Sequence, residues 1–213
     1  MAERDIKVLL VDDHIVVRNG VRLMLSSETD IVVVAEAGTA QEALALVRSE
    51  EIDVALVDIA MPGKNGLELL KQIRAEKPRL ATLILSTYSE GVYAVRALKA
   101  GAAGYLTKDS PAAVLVEAVR KAAAGGKYVS PTLMEQLADV IAGDGARTHD
   151  ALSNRELEVL KLIAAGDSLV KIAEKLHLSP NTVTTYRTRV LEKMGRSNNA
   201  ELTRYAMENG LLL

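Results

Sequence analysis

The chain has 213 residues, enough for one large domain or two smaller ones, each with its own core. Charged residues make up 25% of it and the formal net charge is -2, which excludes a uniformly basic nucleic-acid coat and leaves only a local patch for any DNA contact. With no cysteine there is no disulfide framework or thiolate metal site, and with no long apolar run there is no membrane span, so a soluble, cytoplasmic protein is expected.

From the start to about Ala124, short apolar runs alternate with amphipathic stretches. The spacing predicts strands over 6–11, 31–37, 54–58, 81–86 and 104–107, and helices over 14–26, 39–49, 65–76, 90–100 and 111–124. Five strand-then-helix units imply an α/β domain, a doubly wound five-stranded parallel sheet with helices on both faces. The third strand is apolar throughout until Asp58 and is closed by a Pro62-Gly63 turn. After Gly125-Gly126 the strand signal ends. A short helix is expected over 132–142, then a small, polar linker over 143–150. Beyond it everything reads as helical. Ser153-Asn154-Arg155-Glu156 is a capping box opening 154–164, and 168–176 follows. Ser179-Pro180 opens a helix to Met194, and a last helix runs from Asn198 or Asn199 to about Asn209. The expected division is 1–124 for the α/β domain, 125–147 for a linker with a short helix, and 148–213 for a second, smaller all-α domain.

The first strand runs into Asp12-Asp13 and the third ends in Asp58. In a doubly wound sheet these two strand ends are neighbours at the switch point, where ligands bind. Three carboxylates about 5 Å apart repel by roughly 3 kcal/mol per pair at an effective dielectric near 20. That calls for a cation, and oxygen ligands with no His or Cys nearby favour Mg²⁺, which keeps waters for a phosphate to displace. Ser86 ends the fourth strand, and the fifth leads through Tyr105 to Lys108, a compact positive charge. Singly, each has a plain alternative: Asp12-Asp13 a solvated turn, Asp58 or Ser86 a cap, Tyr105 core, Lys108 surface charge. All of them on one sheet edge is hard to obtain by accident.

Val11-Asp12-Asp13, Asp58-Ile59-Ala60-Met61-Pro62-Gly63, Ser86 and Gly101-Ala102-Ala103-Gly104-Tyr105-Leu106-Thr107-Lys108 resemble the receiver domain of bacterial two-component response regulators, the CheY-like (flavodoxin-like) fold. The resemblance covers about the first 124 residues. It implies that Asp58 is the phosphoacceptor, taking its group from a histidine kinase. Asp13, Asp58 and the backbone carbonyl of Ala60 would hold Mg²⁺, with Asp12 acting mainly through water. Lys108 and Ser86 would contact the phosphoryl oxygens, and Tyr105 would swing inward as Ser86 moves. Phosphoryl transfer suits these residues, since charge neutralisation does most of the catalysis. Ala60 and Thr87 offer no carboxylate or amide to orient an attacking water, and Asp109 stands where many receivers have proline.

In the helical half, residues 168–194 read as a short helix, the turn His177-Leu178-Ser179 and a longer helix. Val183, Tyr186, Val190 and Met194 share one side of the longer helix, while Asn181, Thr185, Thr188 and Glu192 point away, with Thr184 and Arg189 on the flanks. Arg187, Arg189, Lys193, Arg196 and Arg204 against Glu192 and Glu201 leave a local excess of three positive charges over 180–204. Hydroxyls, an amide and arginines on one helix suit a major groove. An αα-hairpin with a solvated polar face is the plain alternative. Arg187 is expected first as a structural ion-pair partner of Glu156 and second as a DNA contact, His177 as a packed turn residue, and His149 as linker.

Leu152-Ser153-Asn154-Arg155-Glu156-Leu157-Glu158-Val159-Leu160, Ile172-Ala173-Glu174-Lys175-Leu176, Leu178-Ser179-Pro180-Asn181-Thr182-Val183 and Lys193-Met194-Gly195 resemble the LuxR-type helix-turn-helix. A receiver followed by this domain is the layout of the NarL/FixJ family. The resemblance implies a transcription regulator that binds an inverted-repeat DNA operator and becomes a homodimer on activation. Its DNA contacts would come from Asn181, Thr184, Thr185, Arg187, Thr188, Arg189 and Lys193, and its dimer contact from Leu202, Tyr205 and Ala206 on the last helix. Thr184 and Thr188 stand where many relatives carry basic residues, so phosphate contacts are fewer and one domain alone should bind weakly. No catalysis is expected beyond the receiver's own phosphorylation and slow dephosphorylation. The rivals are a Mg²⁺-dependent aspartyl-phosphate phosphatase of the haloacid-dehalogenase kind, which typically has a second acid where this chain has Ala60, and a regulator acting on protein partners. A dinucleotide-binding oxidoreductase is weaker, because no glycine-rich turn follows the first strand.

Overall fold

The computed structural model describes residues 5–61, 65–87, 90–142 and 148–212; the expected Pro62-Gly63 turn and linker residues 143–147 lie outside them. The chain divides into two compact units between residues 137 and 138. No helix among the described residues is long and apolar enough to cross a membrane.

In the first unit β1 (Ile6–Val11), β2 (Ile31–Ala37), β3 (Val54–Asp58), β4 (Ala81–Ser86) and β5 (Gly104–Thr107) alternate with α1 (Ile15–Leu25), α2 (Ala40–Ser49), α3 (Gly66–Glu76), α4 (Glu90–Ala100) and α5 (Ala112–Ala123). All strand pairs are parallel, in the order β2-β1-β3-β4-β5. β3 lies in the middle and every one of its residues is buried, as expected of a strand with helices over both faces. β2 sits at the edge and alternates buried with exposed, so Val32 and Val34 face solvent. Side chains cap the helix starts where the sequence offers them: Thr39 accepts from Glu42 N and Asn65 from Leu67 N. α6 (Pro131–Ala142) follows, with Leu133 fully buried.

The second unit holds a 3-10 helix (Thr148–Ala151), α7 (Asn154–Ala164), α8 (Leu169–Leu176), α9 (Pro180–Met194) and α10 (Asn199–Glu208). The capping box is formed in full: Ser153 Oγ accepts from Glu156 N and Glu156 Oε2 from Ser153 N. α7 packs against α9 and α10, and Leu157, Leu160, Val183, Val190 and Leu202 meet in the core.

Three expectations need correction here. His149 is not linker: it sits in the 3-10 helix, 1% exposed, with Nδ1 2.9 Å from Tyr205 Oη and its ring edge-on to the tyrosine. Leu202, Tyr205 and Ala206 are no free dimer stripe, because α10 spends all three on its own domain, where they are buried. His177 is exposed rather than packed, and it ends α8 in the left-handed conformation (φ 53°, ψ 46°) that lets Leu178 N reach Ala173 O.

Lys161, on α7, is a buried cation. Burial pulls its pKa down to about 8, the nearby Glu158 carboxylate offsetting only part of the effect. The folded chain therefore gives up this proton at lower pH than the unfolded chain, and stability should rise with pH from about 8 toward the ordinary lysine value of 10.5. Lys161→Met is expected to stabilise the second unit by about 2 kcal/mol near neutral pH and to flatten that rise, as read by thermal unfolding at a series of pH values.

Candidate functional site

Pairing register brings the acids together. Val11 lies opposite Val57, so the next residues along β1 and β3, Asp12 and Asp58, emerge side by side. Both are buried, at 5% and 2% exposure, while Asp13 is partly open. Just past β5, Lys108 N donates to Ser86 O (2.8 Å), which fastens the ends of β4 and β5 together. Its ammonium then bridges the two acids, 2.5 Å from Asp12 Oδ2 and 3.0 Å from Asp58 Oδ2. Burial pushes the Asp58 carboxyl above the usual range, and the Asp12 charge adds to this; Lys108 offsets only part of it. Burial works against the charge on Lys108 too, yet its bonds to Asp12 and Asp58 hold it above an ordinary lysine.

Asp12, Asp13, His14 and Asp58 each offer a ligand atom, and these atoms lie within 4.8 Å of one another. The carboxylate oxygens of Asp58 are buried, and among the described residues Lys108 is the cation paired with them; a cluster of oxygen donors carrying more negative than positive charge fits a hard divalent ion that retains waters. The expectation of no histidine nearby is corrected: His14 Nδ1 stands 2.9 Å from Asp13 Oδ1 and 3.3 Å from Asp12 Oδ1, with the ring largely exposed. The sequence places His14 at the start of the helix expected over 14–26, yet it precedes α1 and follows Asp13 directly, and that adjacency is the signal that sets it at this rim. Ala60 is two residues past Asp58 and exposed. Ser86 is fully buried at the end of β4, and Tyr105 is fully buried as well, the inward position that the resemblance assigned to the switched state.

One glycine seats the acceptor. Gly66 opens α3 and donates its N–H to Ile59 O (3.0 Å), while Asn65 caps the helix from a buried position. A Cβ at Gly66 would overlap the Asp58 carbonyl oxygen.

On α9, Asn181, Thr184, Thr185, Thr188 and Arg189 are all exposed, and Asn181, Thr182, Thr185, Tyr186 and Arg189 line a shallow depression. The expected pairing of Arg187 with Glu156 is corrected. Lys193 Nζ takes that place, 2.7 Å from Glu156 Oε2, and Arg187 Nε donates to Asn199 Oδ1 (2.6 Å). Burial disfavours the Glu156 charge, but Lys193 and the Ser153 cap hold its pKa below the usual carboxylate value. Lys193 is thereby half withdrawn from the role of DNA contact. Arg196 lies over the Tyr205 ring, its guanidinium carbon 5.6 Å from the centroid. Arg189 and Arg204 are exposed and uncommitted among the described residues.

Residues 8–120 match the family described as the response regulator receiver domain, and residues 150–206 match the luxR family of bacterial regulatory proteins. The chain is similar to the response regulator GacA of Pseudomonas aeruginosa, 36% identical over 97% of this chain and 98% of GacA. It is similar also to the response regulator UvrY of Escherichia coli K12, 35% identical over 97% and 95% of the two chains. Among solved structures, RcsB of Salmonella enterica serovar Typhimurium bound to promoter P1flhDC in the presence of phosphomimetic BeF3⁻ aligns with a TM-score of 0.61. That alignment has 26% identity and covers 95% of this chain and 98% of RcsB.

The Gly66 packing gives a test with an internal control. Gly66→Ala should cost about 1–3 kcal/mol, because either the acceptor strand or the α3 start must shift. Gly20→Ala, in the interior of α1 with nothing within 4 Å of the new methyl, should instead stabilise by about 0.5–1 kcal/mol. Denaturant unfolding of the two variants beside the parent checks the opposite signs.

Proposed function

The chain belongs to the two-component response regulators of the NarL/FixJ family, and from that premise we propose a transcription regulator whose DNA binding is set by Mg²⁺-dependent phosphorylation of Asp58 by a sensor histidine kinase. The observation that carries it is the bridge of Lys108 across Asp12 and Asp58 at the switch point of the sheet. An Asp58 carboxylate oxygen attacks phosphorus in line. The bond from phosphorus to the donor atom breaks as the new one forms, and its electron pair leaves with the donor. Asp13, Asp58 and the Ala60 carbonyl would hold Mg²⁺, which would supply neutralisation of the phosphoryl charge. Lys108 turns from the Asp58 carboxylate to a phosphoryl oxygen, and the Ser86 hydroxyl donates to another. Neither Ala60 nor Thr87 offers a carboxylate or amide to orient an attacking water.

The added group brings nearly two negative charges and three acceptor oxygens, which shift the receiver between states that differ in their tendency to pair. RcsB bound to a promoter with a phosphomimetic present supports coupling of that state to DNA here. Asn181, Thr184, Thr185, Thr188 and Arg189 form the groove-facing surface, with Arg187 and Lys193 at its border. Two such domains on an inverted repeat make up for the weakness of one, although Leu202, Tyr205 and Ala206 are not what joins them. The scarcity of uncommitted cations on α9 favours one alternative, a helical domain that acts on a protein; salt-dependent binding to DNA separates the two.

Asp58→Asn is expected to abolish phosphoryl uptake from acetyl phosphate and Mg²⁺, and an unchanged gain in intact mass would place the acceptor elsewhere. Arg189→Ala should weaken operator binding while leaving uptake intact, and lower the slope of log affinity against log salt by about one per subunit. Equal binding in a gel-shift titration would remove Arg189 from the interface.

A further inference from the structure

Three of the four threonines of α9 have already committed their protons. Thr184 Oγ1 donates to Pro180 O (3.0 Å), Thr185 Oγ1 to Asn181 O (3.1 Å) and Thr188 Oγ1 to Thr184 O (3.1 Å). Back-bonding of this kind ties a hydroxyl to its own helix. All three residues are exposed, so what each shows beyond the helix is a methyl group and oxygen lone pairs: an apolar contact and an acceptor, with no donor.

The major-groove edges answer differently to such a surface. Thymine presents its C5 methyl and adenine an N6 amino donor, while guanine presents two acceptors, N7 and O6. Lone pairs facing guanine's acceptors repel, but the amino donors of adenine N6 and cytosine N4 both suit them, so the hydroxyl oxygen does not by itself separate the pairs; the methyl does, and only an A·T pair offers a methyl and a donor together. From Thr184 to Thr188 is four residues, about 6 Å along the helix axis and about two base-pair steps. Asn181 shares this outward face, and its amide is the group matched to adenine N6 and N7.

Resting on the DNA-binding function proposed above, we propose that Thr184, Thr185 and Thr188 select A·T or T·A pairs at two or three consecutive positions of each half-site, chiefly through thymine methyl groups. A G·C pair is disfavoured there because it lacks the methyl group that the threonine methyls would meet.

The test uses the full chain, with and without acetyl phosphate and Mg²⁺. Duplexes are selected from a random pool, and affinity is then measured by fluorescence anisotropy on the selected duplex and on copies with deoxyuridine in place of thymidine. The expected half-site has an A·T core, and each methyl removed should weaken binding about threefold to fourfold. Thr185→Val and Thr188→Val, which keep the methyl and lose the hydroxyl, should bind within about twofold of the parent and keep the uracil penalty. Thr185→Ser and Thr188→Ser should lose about threefold on the thymine duplex and no longer distinguish uracil. A selected core containing guanine, equal binding of thymine and uracil duplexes by the parent, or collapse of binding in the valine variants with the serine variants intact would each overturn the inference while leaving DNA binding in place. Failure of the full chain to select or bind any duplex would bring down the DNA-binding proposal, and this inference with it.

Discussion

Two carboxylates buried side by side at the end of a parallel sheet cannot both stay charged unaided, and the Lys108 ammonium is what holds them there. Two unit charges about 4 Å apart interact by roughly 4 kcal/mol at an effective dielectric near 20, and desolvation consumes much of that. The upward shift of the Asp58 carboxyl shows that the compensation is incomplete. A single cation shared between two anions is also a junction. Whatever draws Lys108 toward a new partner on Asp58 weakens its hold on Asp12, whose main-chain oxygen is in turn tied to Arg18 on α1 and whose carboxylate accepts from His14 N. The chemistry at the sheet edge is thus wired to a helix terminus by short, charge-assisted links.

Much of this was legible in the residues. The five strands stand where hydrophobic runs placed them: the central β3, covered on both faces, is apolar until its last residue, while the edge strand β2 carries Glu36 and is marked instead by its β-branched run. Once the strands and their order were in hand, register fixed the meeting of Asp12 and Asp58. What escaped did so for physical reasons. His149 hides in a polar stretch because one buried ring in a single turn of 3-10 helix leaves no period to detect. The stripe on α10 was visible, but a stripe looks the same whether it meets its own domain or another copy. The partner of Glu156 was undecidable from spacing, since Arg187 and Lys193 lie on one helix and only the three-dimensional approach of α7 selects Lys193.

In the helical unit, local rules account for the elements more fully than for the surface. Ser153, Ser168, Ser179 and Asn198 each cap the helix they precede, and Gly195 ends α9 in the left-handed conformation. His177 does the same for α8 at some steric cost, since a side chain there disfavours positive φ. The outward face of α9 is left to hydroxyls, an amide and one uncommitted arginine, so this surface is better fitted to distinguishing shapes and edges than to gripping a polyanion.

That scarcity of cations has a physiological corollary. A protein that grips DNA through many phosphates displaces many condensed counterions, and its affinity then collapses as the surrounding potassium climbs. With Lys193 kept by Glu156, few counterions would leave on binding here. Operator occupancy would then fall gently rather than steeply through the ionic swings that accompany a change in a cell's osmolarity, keeping only the salt dependence that its few arginines bring.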